Sequence, residues 1–210
     1  MFTPMLLGFV IAFLPQCLKF IPPPTPPEYR VFYFADAAQI PASSYRAPAH
    51  IARELGAEIA FSWAAVEAVD REAPLDAVII DRAALPFVSR GWLQNAYKRG
   101  IVIATFNTVS PELAEILDAP DLVHPDFADT PYPGDFFIIL WQFRWQTPPP
   151  SRFRPGAIYD SGSRAQNQLY TAEDFKRFSS IFRQQVGQAV NTRKCQQQAG
   201  EAFLPPRWMG

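Results

Sequence analysis

Asp76-Ala77-Val78-Ile79-Ile80-Asp81 is an almost unbroken apolar run between two acids, and it constrains this chain more than any other feature. A strand with one face in water alternates apolar and polar residues, whereas one that carries Val and Ile on both sides must be covered twice. The fold around it is therefore layered, with helices on both faces of a sheet. Tyr29 to Phe34 and Ile101 to Thr105 repeat the pattern before and after it, and Ala57 to Trp63 supplies a further strand.

Helical stretches separate these strands. Ala49 to Leu55 is closed by Gly56, Ala64 to Glu72 is ended by Pro74, and Gly91 to Arg99 is stopped by Gly100. Ser110 is expected to cap a helix through Leu117, with Pro111 at its first position and Glu112 in its first turn. Strand and helix alternate four times, which requires right-handed crossovers and a parallel sheet. After a break at Pro120 to Pro133, Phe136 to Phe143 is a fifth strand. Thr171-Ala172-Glu173-Asp174 opens a helix to about Ala189, with Phe175, Phe178, Phe182 and Val186 spaced along one face as core. Thr147 to Tyr170 is too polar to assign. The expectation is an α/β domain over 29–190, a single doubly wound parallel sheet of about five strands, with a polar basic tail over 191–210. At 49% hydrophobic and 19% charged, the chain has the material for such a core and is not a disordered protein.

The region before Tyr29 is of a different kind. Met1 to Leu18 has no charged side chain, and an apolar N-terminal helix over these residues would reach about 27 Å, enough to cross a bilayer core. Lys19 and Arg30 are the first bases and follow the run, which favours a membrane anchor with its domain on the cytoplasmic side. A cleaved signal with export, and a buried apolar arm, are the alternatives. A signal lacks its basic n-region and A-x-A site here, and Gln16 directly before Cys17 departs from a lipoprotein box. The segment over 1–21 is followed by a proline-rich spacer over 22–28, where Pro22-Pro23-Pro24-Thr25-Pro26-Pro27 adopts extended polyproline II and holds the domain away from the membrane.

Several chemistries lack their residues. Cys17 and Cys195 have no Cys or His neighbour at metal-ligand spacing, so neither a disulfide framework nor structural zinc is available. The only histidines are His50, in a helix, and His124, in a Pro/Asp loop near Asp121 and Asp126. No G-x-G-x-x-G, G-x-x-x-x-G-K-[ST], G-x-S-x-G or H-E-x-x-H is present. Tyr29 to Phe143 holds 15 acids against 8 bases, while Arg144 to Gly210 holds 10 bases against 4 acids. Those bases are scattered among prolines and glutamines without an aromatic platform, so nucleic acid is not an expected partner; a membrane and a protein are.

The residues from Val31 to Leu117 resemble a response-regulator receiver domain, a family with a flavodoxin-like fold and strand order 2-1-3-4-5. Ala65-Val66-Glu67-Ala68-Val69 with Pro74 to Asp81 is similar to the family's second helix and third strand. Gly100 to Thr105 is similar to its fourth strand. The resemblance implies a phosphoryl-accepting role for Asp81, a hydroxyl contact from Thr105 and Mg²⁺ held by acids at the end of strand one, where Asp36 stands. The family's acidic pair is Ala35-Asp36 here, its proline after the acceptor is shifted to Pro86, and Thr147-Pro148 stands where Lys-Pro is found. The resemblance is therefore to a degenerate receiver.

Two functions remain. The first is a membrane-tethered, non-catalytic binding or regulatory module. The second is a small-ligand or divalent-cation-dependent enzyme working in the crevice at the strand C-termini, where open α/β sheets place ligands. Its candidate residues are Asp36, Asp81, Arg82, Thr105, Asn107 and Ser110, with Asp36 and Asp81 as the metal-binding pair and Mg²⁺ as the ion. The competing reading makes Asp36 and Asp81 strand-end caps, Ser110 a helix cap and Arg82 the partner of a nearby carboxylate. Whether Phe106 and Phe87 plug the crevice separates the two.

Overall fold

The computed structural model describes residues 29–119, 135–146 and 158–202. The expected N-terminal helix, the proline spacer, the His124 loop and the last residues of the tail lie outside them. No helix among the described residues is long and apolar enough to cross a membrane.

Six strands form one sheet: β1 (Val31–Phe34), β2 (Glu58–Ala60), β3 (Ala77–Asp81), β4 (Val102–Phe106), β5 (Phe136–Gln146) and β6 (Ile158–Gln168), in the order β2-β1-β3-β4-β5-β6. The first four run parallel, with Phe32 opposite Glu58 and Val78, and Ile79 opposite Ala104. This is the α/β architecture expected, and the order through β5 is compatible with a flavodoxin-like sheet. The expectation of a parallel sheet fails at β5, which pairs antiparallel to β4, with Phe106 opposite Phe137 and Ile103 opposite Leu140. The cause is where the chain re-enters. Asn107 donates its backbone N–H to the carbonyl of Phe136 at 3.0 Å, so β5 starts beside the end of β4 and can only run back along it. β6 then lies antiparallel on β5 over eleven residues, within a stretch whose polar sequence carried no strand signal.

The helices are α1 (Pro48–Leu55), α2 (Trp63–Glu72), α3 (Arg90–Lys98), α4 (Ser110–Leu117) and α5 (Ala172–Ala202). Strand pleating sends successive side chains to opposite faces. On one face Val31, Tyr33, Ile79, Ala104, Phe106 and Phe137 meet Ile51 and Leu55 of α1 and the Phe175, Phe178, Phe182 and Val186 stripe of α5. That stripe is core, as its spacing predicts, and each fully buried Phe contributes about 1.5–3 kcal/mol. On the other face Phe32, Phe34, Val78, Ile80 and Ile103 meet α2, α3 and α4 through Val66, Leu93, Leu113 and Leu117.

Local chemistry sets the helix ends. Ser62 and Ser89 accept from the backbone N–H of Ala65 and Trp92 at 3.3 Å, capping α2 and α3. The cap expected of Ser110 is corrected by one position. Val109 is the N-cap of α4 and Ser110 its first residue, because Leu113 N–H already bonds the Val109 carbonyl. Gly100 turns the chain from α3 into β4 at φ 74°, and a Cβ there would stand 2.9 Å from the Gln142 carbonyl oxygen, so β5 can approach only a glycine.

Two acids tie the far end of the sheet together. Asp70 is 8% exposed and accepts from Leu75 N–H, Trp92 Nε1 and Arg99 Nη2, joining α2 to α3. Asp76 accepts from Arg30 N–H at 3.0 Å and from Arg193 Nη2 at 2.5 Å. The helix α5 does not stop near Ala189 but continues to Ala202, and beyond Ala189 it carries Arg193, which docks just ahead of β3.

Candidate functional site

The C-terminal ends of β1, β3 and β4 and the start of β5 lie along one edge of the sheet, and an ion-pair network is built there. Asp81 closes β3 with its side chain only 3% exposed. One carboxylate oxygen accepts from the Ala83 N–H at 3.1 Å and caps the 3-10 turn Arg82–Phe87, as the capping reading has it. The other accepts from Nη1 of Arg46, in the segment that leads from β1 into α1. Arg46 Nε is 3.0 Å from the carboxylate of Asp135, just ahead of β5. The Tyr33 hydroxyl donates to the Arg46 carbonyl at 2.8 Å, and the Ser44 Oγ accepts from its N–H at 3.1 Å, so the guanidinium is held at its root as well as its tip.

Asn107 completes the frame. Its φ of 60° is left-handed, a conformation Asn tolerates better than most residues. It donates Nδ2 to Asp135 at 2.9 Å, and its Oδ1 accepts from the Phe136 N–H at 2.9 Å. The strain at Asn107 is thus compensated by hydrogen bonds that start β5 and orient Asp135.

The electrostatics follow from two carboxylates on one guanidinium in a largely buried place. Burial works against the Arg46 charge, but the close carboxylates of Asp135 and Asp81 outweigh it and raise Arg46 above its ordinary value. Tyr33 is raised too, first by burial and then by the Asp81 charge, so it remains a protonated donor.

The other candidates are not drawn into this network. Asp36 accepts from Ala38 N–H at 3.2 Å and Gln39 Nε2 at 2.7 Å, bonds confined to its own turn. Arg82 pairs with Glu112 at 3.5 Å, as the competing reading expects, and lines a cleft of about 320 Å³ with Leu85, Pro86, Leu93 and Ile116. Thr105 stands opposite Ile80, one residue before Phe106, and the pleat sends it to the α2–α4 face, away from Asp81. Its hydroxyl is buried without a hydrogen-bond partner among the described residues. Ser110 is buried at the first turn of α4. Phe106 is fully buried against Tyr33 and Phe178, while Phe87 is 67% exposed, so the edge is filled by Arg46 rather than by either phenylalanine.

No protein-family model and no curated protein matches the chain. The site therefore has to be weighed on its own geometry. Mg²⁺ at Asp36 and Asp81 would have to displace Arg46 from Asp81 and break the turn around Asp36. Among the described residues no group of three or more His, Cys, Asp or Glu is placed to hold a metal ion. Sequence reasoning missed Arg46 and Asp135. The available signal was an arginine among small residues directly before a helix, and an acid at the start of an apolar strand.

Proposed function

We propose that the chain is a non-catalytic binding or regulatory module on a receiver-like, flavodoxin-like sheet, tethered to a membrane by Met1 to Leu18 with its domain on the cytoplasmic side. One observation carries the reading: the Arg46 guanidinium sits between Asp81 and Asp135. Phosphoryl transfer requires a cation to offset developing charge at the acceptor and a carboxylate free to attack. Here the Arg46 guanidinium donates to the Asp81 carboxylate and fixes it in place. The site is a strut that holds the loop before α1 to β3 and β5, not a cradle for a substrate. The acidic body, with 15 acids against 8 bases over 29–143, favours a protein partner over nucleic acid. The tether is supported by the sequence alone, by an uncharged run followed by Lys19 and Arg30.

Full-length protein is expected to sediment with membranes and to survive a carbonate wash, and release by salt alone would contradict the tether. Mg²⁺ or Ca²⁺ is expected to leave the Tm of the folded protein unchanged. The second reading is a small-ligand or divalent-cation-dependent enzyme at the strand ends, using the carboxylates of Asp36 and Asp81. It requires the opposite result: a Tm raised by the cation through mass action on the folded state, and a response lost in Asp81→Asn.

A further inference from the structure

The cleft of about 320 Å³ beside Arg82 lies between the 3-10 turn Arg82–Phe87, the start of α3 and α4. Its wall is apolar, with Leu85 from the turn, Val88 just after it, Leu93 from α3 and Ile116 from α4. Leu85 and Leu93 belong to the core under these helices, so packing fixes the wall, and Asp81 holds the turn through the Ala83 N–H. Two arginines complete the lining. Arg82 opens the turn and Arg90 opens α3, and their side chains are 57% and 56% exposed. The span 29–143 has 15 acids against 8 bases, yet two of those bases stand on this one cleft against a single lining acid, Glu112. The lining thus reverses the sign of the body around it.

We propose that this cleft binds a small apolar monocarboxylate, with its hydrocarbon body on the apolar wall and its carboxylate on the guanidiniums of Arg82 and Arg90. Both guanidiniums keep donors to offer. Arg82 Nη2 is 3.5 Å from Glu112 Oε2, an oxygen that is buried with no hydrogen-bond partner among the described residues, so this pair attracts without a hydrogen bond. Arg90 uses Nη2 on the Glu115 carbonyl and stands 3.6 Å from a Glu115 carboxylate that is itself exposed. Ion pairs this open to water contribute little, and a ligand carboxylate can take the place of either glutamate. A guanidinium presents a fork of donors that matches a carboxylate, whereas an alcohol leaves that fork unused and an amine is repelled by it. Ligand pockets start at about 300 Å³, so the volume suits a short chain. The inference is independent of what the Arg46 strut does, because it uses neither Asp36 nor Asp135 and takes from Asp81 only the capped turn.

Calorimetric titration of the full chain in phosphatidylcholine nanodiscs, with empty nanodiscs subtracted, tests it. Hexanoate, hexanol and hexylamine are the probes, one apolar body with three head groups. Hexanoate is expected to bind about tenfold tighter than hexanol, and hexylamine more weakly than either. Arg82→Gln combined with Arg90→Gln should abolish the preference for hexanoate while leaving hexanol unchanged. Glu112→Gln removes the carboxylate that competes for Arg82 and should tighten hexanoate by roughly threefold. All three side chains reach solvent, so these variants are expected to keep the wild-type Tm. A diazirine analogue of hexanoate locates the site on the wild type without any variant, with label expected in 82–93 and 112–116. Hexanoate that binds no tighter than hexanol, a preference that survives the loss of both arginines, unchanged or weaker binding in Glu112→Gln, or label confined to other segments would overturn the proposal.

Discussion

Arg46 donates to the carboxylate of Asp81 across a separation of 35 residues, and this bond defines the strand-end edge of the sheet. It joins a segment with no regular structure to a strand buried along its whole length. It also places a guanidinium between the two carboxylates of what the sequence alone offers as an anionic crevice. The consequences are for stability before they are for chemistry.

Thr105 is where function and packing give opposite signs. Its hydroxyl is buried on the α2–α4 face with no hydrogen-bond partner among the described residues, and such a group costs roughly 1–3 kcal/mol. Thr105→Val is expected to leave the Tm unchanged or to raise it. A clear loss of stability in thermal melts would show that the hydroxyl has a partner, and would favour the ligand-binding reading.

Asn107 combines a left-handed backbone with two side-chain bonds that start β5. Asn107→Gly keeps the backbone relaxed and loses only the bonds, at about 1–2 kcal/mol, whereas Asn107→Ala adds the left-handed penalty of about 1–2 kcal/mol more. Denaturant melts should rank wild type above Gly and Gly above Ala. Equal costs for the two would mean that the backbone conformation is not strained.

His50 gives a pH dependence. It packs against Phe175, with ring centroids 4.4 Å apart, and its Nδ1 is 2.8 Å from Arg53 Nη2. Burial first, and the Arg53 charge second, lower its pKa against the opposing pull of Glu54. With the folded value below the unfolded one, the unfolded chain takes up the proton first. The contribution is present in full above the unfolded value of about 6.5 and is lost as the pH falls below it. Relative to His50→Gln, the wild type should lose Tm between about pH 7.5 and 5.5. Parallel curves for the two proteins would remove His50 from the account.

The parts of this fold that could be read from sequence are those set by local pattern. Val78 to Ile80 had to be covered on both faces, Gly56 and Gly100 had to end helices, and Phe175 to Val186 had to face the core. The direction of β5 was not legible, because an apolar run such as Phe136 to Leu140 carries no arrow. Its sense depends on Asn107 meeting Phe136 in space. β6 was missed for another reason: its residues are polar, and it is held by a backbone ladder that needs no apolar pattern. Of the site shortlist, Asp81 and Asn107 belong to one network, while Asp36, Arg82 and Thr105 do not, since alternation along β4 sends Thr105 to the opposite face. Arg46 and Asp135 were invisible because their roles arise only when distant segments meet.

The claim on which the account rests is that Arg46 and Asp81 act as one unit, and a double-mutant cycle on Arg46→Met and Asp81→Asn measures it directly. Arg46→Met leaves Asp81 buried and unpaired beside Asp135 and should cost about 3–5 kcal/mol. Asp81→Asn should cost less, since Asp135 remains for the guanidinium. The double variant is expected to be more stable than the sum of the two losses implies, with a coupling of about 2 kcal/mol. Costs that add to within about 0.5 kcal/mol would show that the two residues do not depend on each other, and would contradict the account.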